Sequence, residues 1–234
     1  MNDNDTHETE VECGTKFSPS QVRVLGCLIE KEICTPEYYP LTLKSLVAAC
    51  NQKSNRNPMM MLDDTDLVRI IEDLRYDHQI VRQVTTAGSR VPKYKHMFPD
   101  HYDFTPQATA VLCELFLRGP QTPGQLRTHT ARMYQFSNTT EIEETLTALK
   151  EWEDGPFVVK LPREPGCREQ RWAHLFCGEI DISQIEPVAR AEPARLVVQA
   201  ENERIAGLET EVASLRTELN QLFSEFAEFR KQFE

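Results

Sequence analysis

Hydrophobic positions between residues 17 and 100 follow a helical period three times and then alternate. Apolar residues recur every three or four positions in three segments, which predicts three amphipathic helices. These segments are "FSPSQVRVLGCLIEKE", "LTLKSLVAACN" and "DDTDLVRIIEDLRYDHQ". Ser18 followed by Pro19 is typical of a helix start. Beyond them, "IVRQV" and "VPKYKHMF" flank the turn "TAGSR" and predict a β-hairpin.

The same order begins again at Phe104. Thr105 and Pro106 open a helix whose Leu112 corresponds to Leu25 of the first copy. The later segments are "PQTPGQLRTHTARM", "NTTEIEETLTALKEW" and the strands "FVVKL" and "RWAHLF". Three helices closed by a β-hairpin make the winged-helix form of helix-turn-helix. We therefore expect a mainly α fold with small β-hairpins, built as two winged-helix domains in tandem at residues 17–100 and 104–179.

The two copies differ in the link between their second and third helices. In the first copy the link runs from about Asn51 to Asp64 and contains "NQKSNRNPMMM", whereas a helix-turn-helix needs only about three or four residues there. The polar side chains suit the capping of helix ends, and methionines fill irregular space beneath a loop. We expect a structural role for this link, with a nucleic-acid contact or a catalytic loop as the alternatives.

From Val198 the chain follows a heptad repeat, which predicts a coiled-coil helix over residues 198–234. Branched residues at position a and Leu at position d favour a parallel homodimer. The alternative is a single helix folded back on the body. The expected dimer seam consists of Ile205, Leu208, Val212, Leu215, Leu219, Leu222, Phe226 and Phe229. Residues 180–197 contain Pro187 and Pro193 and form the linker.

The net charge of −11 is concentrated at the two ends of the chain. Residues 1–16 are predicted to be a disordered acidic tail, while residues 17–178 hold 20 acids and 19 bases. This balance argues against a protein that coats DNA by bulk charge. The sequence has no run of eighteen apolar residues and no apolar segment near its N-terminus, so we expect a cytoplasmic protein with no membrane contact.

The pattern of possible metal ligands and nucleophiles predicts neither a metal, a cofactor nor an enzyme. The seven cysteines are irregularly spaced and contain no C-x-x-C pair. Cys167, His174 and Cys177 lack a fourth zinc ligand at a usual spacing. Cysteines in apolar helical segments, such as Cys27, are expected to pack as small hydrophobic residues. A thiol or zinc enzyme remains a third alternative for the function.

Several long segments resemble the YceH-like family of uncharacterised bacterial proteins. The segments are "LIEKEICTPEYYPLTLKSLVAACNQKSNRNPMM", "LRGPQTPGQLRTHTARMYQF", "EDGPFVVKLPREPG" and "RWAHLFCGE". The resemblance covers Phe17 to about Glu179 and implies two winged-helix domains in a bacterial cytoplasm. It implies no catalytic residue, because the family has none assigned. Ser54 stands where the family pattern carries Thr.

Charge along the third helices disfavours the usual insertion of that helix into DNA. The segments 63–77 and 138–153 each carry a net charge of −4, which repels phosphate. Basic residues lie instead in the first hairpin, the link and the second helix of the second copy. The expected DNA contacts are Lys53, Arg56, Arg82, Arg90, Lys93, Lys95 and Arg127. We expect a DNA-associated regulatory protein; the alternatives are a protein–protein adaptor that uses the acidic helices, and a hairpin whose charges are merely solvated.

Overall fold

The structure is a computed structural model that describes residues 17–85, 91–164, 166–178 and 180. All described residues belong to one compact unit. Within them the fold is α+β, with seven α-helices and two small antiparallel sheets.

The first repeat has three helices and three short strands. In chain order they are α1 (Pro19–Cys34), β1 (Leu41–Thr42), α2 (Leu43–Cys50), α3 (Asp64–Tyr76), β2 (Val81–Val84) and β3 (Lys93–His96). Helices α1 and α3 start at capping boxes formed by Ser18 with Gln21 and by Asp63 with Asp66. Strand β3 lies in the centre of the sheet, between β1 and β2.

The short helix α4 (Phe98–Tyr102) leads into the second repeat. Its elements are α5 (Pro106–Arg118), α6 (Pro123–His129), α7 (Thr139–Lys150), β4 (Val158–Lys160) and β5 (Trp172–His174). Gln121 forms an isolated antiparallel bridge with Trp172, at the place that β1 has in the first repeat. The repeated order of three helices and two strands is therefore present as predicted.

Two local predictions are wrong. The strand predicted through Phe98 ends at His96, because Phe98 and Pro99 start α4 and Phe98 is completely buried. The helix predicted from Leu41 begins only at Leu43, because Leu41 and Thr42 pair with Tyr94 and Lys93 as β1.

The two repeats share one core, which is centred on the packing of α1 against α5. A Cβ atom at Gly26 would lie 2.9 Å from the Leu117 side chain, so only glycine allows the helices this close. A second shared region is aromatic: Phe98 contacts Phe116 and Phe176, and the backbone N–H of Phe17 donates to the Phe176 carbonyl at 2.7 Å. The two repeats are therefore held together by the buried contact between α1 and α5 and by the shared aromatic cluster.

Several predictions concern residues outside the described part of the chain. They are the acidic tail at residues 1–16, the linker at 180–197 apart from Ile180, and the coiled coil at 198–234 with all eight residues of its seam. Arg90 and Glu179 also lie outside it.

Candidate nucleic-acid interface

The first hairpin brings three of the expected DNA contacts together. Arg82 lies opposite Lys95 in the ladder between β2 and β3, and Lys93 lies two residues before Lys95 on β3. Tyr94 and His96 are buried, so the alternation along β3 turns both lysines to the outer face. Arg82 is exposed and the two lysines are half-buried. The outer face of this sheet therefore carries three neighbouring cations.

The remaining expected contacts are separate from this face in sequence and element. Lys53 is exposed in the link after α2. Arg127 is exposed on α6 of the second repeat. Neither belongs to the hairpin, and each lies on an element of its own.

Arg56 corrects the sequence interpretation, because its side chain points into the protein. Arg56 is 6% exposed and its Nη2 lies 2.6 Å from Oε2 of Glu30 on α1. Its Nε donates to the carbonyl of Ala49 at 3.1 Å, and its Nη1 donates to the carbonyl of Asn55 at 2.9 Å. Burial acts to lower the pKa of Arg56, but the hydrogen bonds to Glu30, the charge of that carboxylate and other nearby groups together raise the pKa of Arg56. Arg56 holds the link in place and does not reach phosphate from this position.

The polar link is closed at its base by Asn51. The side-chain amide of Asn51 donates to the Leu62 carbonyl at 2.7 Å, and its oxygen accepts from the Leu62 N–H at 2.9 Å. One side chain thereby holds together two positions that are eleven residues apart. This geometry supports the structural role expected for the link.

The tip of the link caps the end of α5 in the other repeat. The N–H of Asn57 donates to the Leu117 carbonyl at 2.8 Å, and its side chain donates to the Arg118 carbonyl at 3.3 Å. Arg118 in turn donates from Nη2 to the Asn55 side chain at 2.7 Å. The last carbonyls of a helix need partners outside the helix, and this link supplies them.

The outer faces of the third helices are acidic. On α3, Asp64, Asp66, Glu72 and Asp73 are exposed, and on α7 Glu143 and Glu144 are exposed. These carboxylates would face phosphate if either helix entered a DNA groove.

Sequence reasoning missed a second basic hairpin. Lys160, Arg163 and Arg168 are exposed on β4 and the turn that follows it. Together with Thr139, Glu143 and Trp172 they line a cavity of about 410 Å³ between α7 and the hairpin. The excess of bases in "KLPREPGCREQR" was the available signal.

The described residues hold neither a metal cluster nor a membrane span. No three His, Cys, Asp or Glu side chains among them are placed to share a metal ion. None of the helices in this part of the chain has the length and apolar character needed to cross a membrane.

The fold and the surface define an α+β protein with two fused repeats, each closed by a hairpin that carries basic residues. Residues 17–167 match the family described as "Protein of unknown function, DUF480". The chain is 52% identical over 214 residues to a UPF0502 protein of Geobacter sulfurreducens, covering 92% of this chain and 96% of that protein. It is 46% identical over 218 residues to a UPF0502 protein of Aeromonas hydrophila, covering 91% and 97%. The chain therefore belongs to the DUF480/UPF0502 family of bacterial proteins.

Proposed function

We propose that the chain is a non-enzymatic, cytoplasmic, DNA-associated protein built from two fused winged-helix units, and that its hairpins contact the DNA. We also identify its family with the YceH-like family that its long segments resemble. Both repeats follow the helix, strand or bridge, helix, helix, hairpin order of a winged helix, which supports the fold assignment. Because many functions occur on one fold, the charge of the surface has to carry the functional argument.

The observation that carries the proposal is the contrast between hairpins and third helices. The first hairpin presents Arg82, Lys93 and Lys95, and the second presents Lys160, Arg163 and Arg168. The third helices present carboxylates. Neutralisation of phosphate by basic side chains dominates DNA affinity, so contact through the hairpins is favoured over insertion of a helix.

Fluorescence anisotropy of a labelled DNA duplex, measured over a range of salt, tests this proposal. Reversing Arg82 and Lys93 to Glu should weaken binding and lower the salt slope by roughly one unit for each phosphate that is no longer neutralised. The matched control reverses Arg69 and Arg75 on α3, which changes the charge equally. Loss of binding in the α3 variant alone would show helix insertion instead. Failure of the unaltered protein to bind the duplex would contradict the proposal.

A protein–protein adaptor is the second candidate, and one observation favours it. The large apolar side chains that are exposed in the described part of the chain all lie in the first repeat: Ile33, Tyr38, Met59, Met61, Val68, Tyr76 and Val91. Val68 and Tyr76 lie eight residues apart on α3, on the same side as Glu72 between them. An apolar and acidic helix surface suits a partner that is apolar and basic.

Capture of partners from a bacterial lysate, with and without nuclease, separates the two candidates. Partners that disappear after nuclease treatment support DNA association. Partners that remain, and that a Met61→Ser, Val68→Ser variant no longer captures, support the adaptor.

We further propose a homodimer through the C-terminal helix, on the heptad pattern of Val198 to Phe233 alone. Light scattering should give a dimer for the full chain and a monomer for a Leu215→Glu, Leu222→Glu variant. A monomeric full chain at tens of micromolar would contradict this assembly.

A further inference from the structure

We propose that the cavity beside the second hairpin binds a phosphorylated sugar, either free or as part of a nucleoside monophosphate. The cavity has a volume of about 410 Å³ and lies between α7 on one side and the β4–β5 hairpin on the other. Pockets for small ligands measure about 300–1,000 Å³, so this one is large enough for a sugar phosphate. The chemistry of its two walls identifies the class of ligand.

The wall formed by the hairpin presents three cations. Lys160 on β4 lies opposite Trp172 on β5, and its Nζ is 5.7 Å from the centre of the indole ring. The Trp172 side chain is largely buried, so its ring gives the Lys160 ammonium a fixed surface to lie on. Arg163 and Arg168 line the cavity from the turn between the two strands. Lysine and arginine side chains are the usual partners of phosphate groups in proteins.

These three cations are available to a ligand. Among the described residues, no carboxylate forms an ion pair with any of them. Glu164, which follows Arg163 in the chain, pairs with Arg171 instead. Arg163 donates from Nε to the Cys167 carbonyl at 2.7 Å, which fixes its side chain within the turn. Its two Nη groups are left to meet two phosphate oxygens, the paired geometry that arginine favours.

The wall formed by α7 presents hydrogen-bond acceptors. Glu143 and Thr147 lie one helical turn apart and both line the cavity. The Thr147 hydroxyl already donates its proton to the Glu143 carbonyl at 2.8 Å, so its oxygen serves the cavity as an acceptor. The Glu143 carboxylate forms no ion pair with a described residue. Adjacent acceptors suit the hydroxyl groups of a sugar, and an acidic side chain binds ribose in this way in dinucleotide-binding folds.

A second carboxylate, that of Glu169, borders the cavity on the side of α6. Its Oε2 lies 3.6 Å from the position that a Cβ atom would take at Gly124, the second residue of α6. Negative charge is stabilised beside the first turn of a helix, so this carboxylate is balanced there. Three cations against two carboxylates leave the cavity attractive to an anion.

The two walls together require a ligand with an anionic end and a hydroxyl-bearing end. A phosphate monoester has three terminal oxygens and about two negative charges at neutral pH, which matches three cations better than a single carboxylate does. Inorganic phosphate satisfies the hairpin wall alone, and an unphosphorylated sugar satisfies the α7 wall alone. A phosphorylated sugar satisfies both.

This inference goes beyond the proposed DNA association and does not depend on it. Both would use Lys160, Arg163 and Arg168, so a bound sugar phosphate is expected to compete with DNA for the second hairpin. The test below contains no DNA, so its outcome is independent of whether the protein binds a duplex.

Isothermal titration calorimetry of the full chain in a phosphate-free buffer tests the site. The probes are ribose 5-phosphate, a nucleoside 5′-monophosphate, ribose and inorganic phosphate. We expect ribose 5-phosphate to bind at least roughly tenfold more tightly than ribose or inorganic phosphate, because it alone of these three meets both walls. Tighter binding of the nucleotide than of ribose 5-phosphate would assign a nucleotide as the ligand, and the reverse order would assign a free sugar phosphate. Absence of binding by both up to millimolar concentration, or equally tight binding of inorganic phosphate, would overturn the proposal.

Variants of the cations locate the bound phosphate. Arg163→Gln should weaken the binding of ribose 5-phosphate at least roughly tenfold, because a charged hydrogen bond is lost. Arg168→Gln should also weaken it, without removing the bond between Arg163 and Cys167. The matched control is Arg69→Gln, at an exposed position of α3, which should leave the affinity unchanged. Circular dichroism checks that each variant is folded. Unchanged affinity in folded Arg163→Gln and Arg168→Gln variants would show that the ligand lies elsewhere.

A variant of the α7 wall separates a sugar site from a simple anion site. Glu143→Gln should weaken ribose 5-phosphate several-fold and strengthen inorganic phosphate, because it removes an acceptor for hydroxyl groups and a charge that repels phosphate. Glu144→Gln changes the charge equally at the next residue, which is exposed and does not line the cavity, and should preserve the ratio of the two affinities. If Glu143→Gln leaves this ratio unchanged, the proposed position of the sugar is wrong.

Discussion

The two repeats have the same order of elements and meet at equivalent positions, yet their surfaces differ. Ser18–Pro19 and Thr105–Pro106 start the first helix in each, and this alignment pairs Gly26 with Cys113. These two positions contact each other, since Cys113 donates to the Gly26 carbonyl at 3.3 Å. Contact between equivalent positions is typical of a two-fold arrangement, in which one patch meets its own copy.

The repeats differ most in the link between the second and third helices. In the first repeat residues 51–63 form a long link, whose tip caps α5 and whose base is closed by Asn51. In the second repeat a 3-10 turn at Thr130–Arg132 follows α6 directly. The extra residues of the first repeat therefore serve the contact between repeats. Met59 and Met61 of this link are exposed, so the prediction that its methionines fill the space beneath the loop is wrong for these two.

The largest difference between the repeats should be in how much their ion pairs contribute to stability. These pairs are Glu30–Arg56 in the first repeat and Glu114–Arg118 in the second. Arg56→Ala should lower the free energy of unfolding by about 3–5 kcal/mol, because it leaves the buried carboxylate of Glu30 with only Lys31, 3.4 Å away, to balance its charge. Arg118→Ala should have a smaller effect, because the Arg118 side chain is 22% exposed and its pair with Glu114 lies within one helix. Urea unfolding of both variants measures the difference. An equal or larger effect of Arg118→Ala would contradict this ranking.

A double variant sharpens the same prediction. Replacing Arg56 by Met and Glu30 by Leu together should recover much of the stability, since neither charge of this pair is then left buried without the other. A double variant as unstable as Arg56→Ala would mean that the hydrogen bond to Ala49 matters more than the charge.

Stability should depend on pH through Glu114. Burial raises the pKa of Glu114 to about 7, and the nearby Arg118 opposes this without offsetting it. The folded protein therefore holds this proton more tightly than the unfolded chain does. The resulting stabilisation is present below the unfolded pKa of 4.5 and is lost as the pH rises through about 7. The expected decrease in the free energy of unfolding is on the order of 1–3 kcal/mol.

Unfolding measured between pH 5 and pH 8 checks this dependence. Glu114→Gln should flatten it, whereas Glu143→Gln, at an exposed position of α7, should not. If the Glu114→Gln variant shows the same pH dependence of stability as the unaltered protein, a group other than Glu114 causes that dependence.

Removal of the side chain that closes the link should have the smallest of these effects. Asn51→Ala should lower stability by about 1–2 kcal/mol, because it breaks two hydrogen bonds to Leu62. Ser54→Ala, at an exposed position of the same link, should leave the thermal midpoint unchanged. If Asn51→Ala and the unaltered protein have the same thermal midpoint, the proposed structural role of the link is wrong.

Local structure was predictable from the sequence because its signals are local. Ser18 and Thr105 accept from the backbone N–H groups of Gln21 and Ala108, as expected of helix caps. Strands β2 and β3 lie near their predicted positions because apolar and polar residues alternate along both segments. The two-residue strand β1 is too short to give such a pattern.

The burial of Arg56 and the shared core depend on contacts between distant residues. A basic residue within a polar run is usually exposed. Arg56 is buried because its guanidinium donates a hydrogen bond to the carboxylate of Glu30, 26 residues earlier. The shared core left one overlooked signal. Residues Gln21–Glu30 and Ala108–Leu117 are buried on all sides of their helices, and their apolar residues are correspondingly spread around each helix. A helix that is apolar all round is buried, rather than lying at the edge of its own domain.

Unfolding of one repeat, observed from the other, tests most directly whether the two repeats form one cooperative body. Both tryptophans, Trp152 and Trp172, lie in the second repeat, so their fluorescence reports on that repeat alone. Leu74→Ala removes a completely buried side chain from α3 in the first repeat and should cost about 2–5 kcal/mol. A shared core predicts that the urea midpoints from tryptophan fluorescence and from circular dichroism fall together and by the same amount. A fluorescence midpoint that stays at its original urea concentration while the circular dichroism signal disappears earlier would show two independent domains and contradict the shared core.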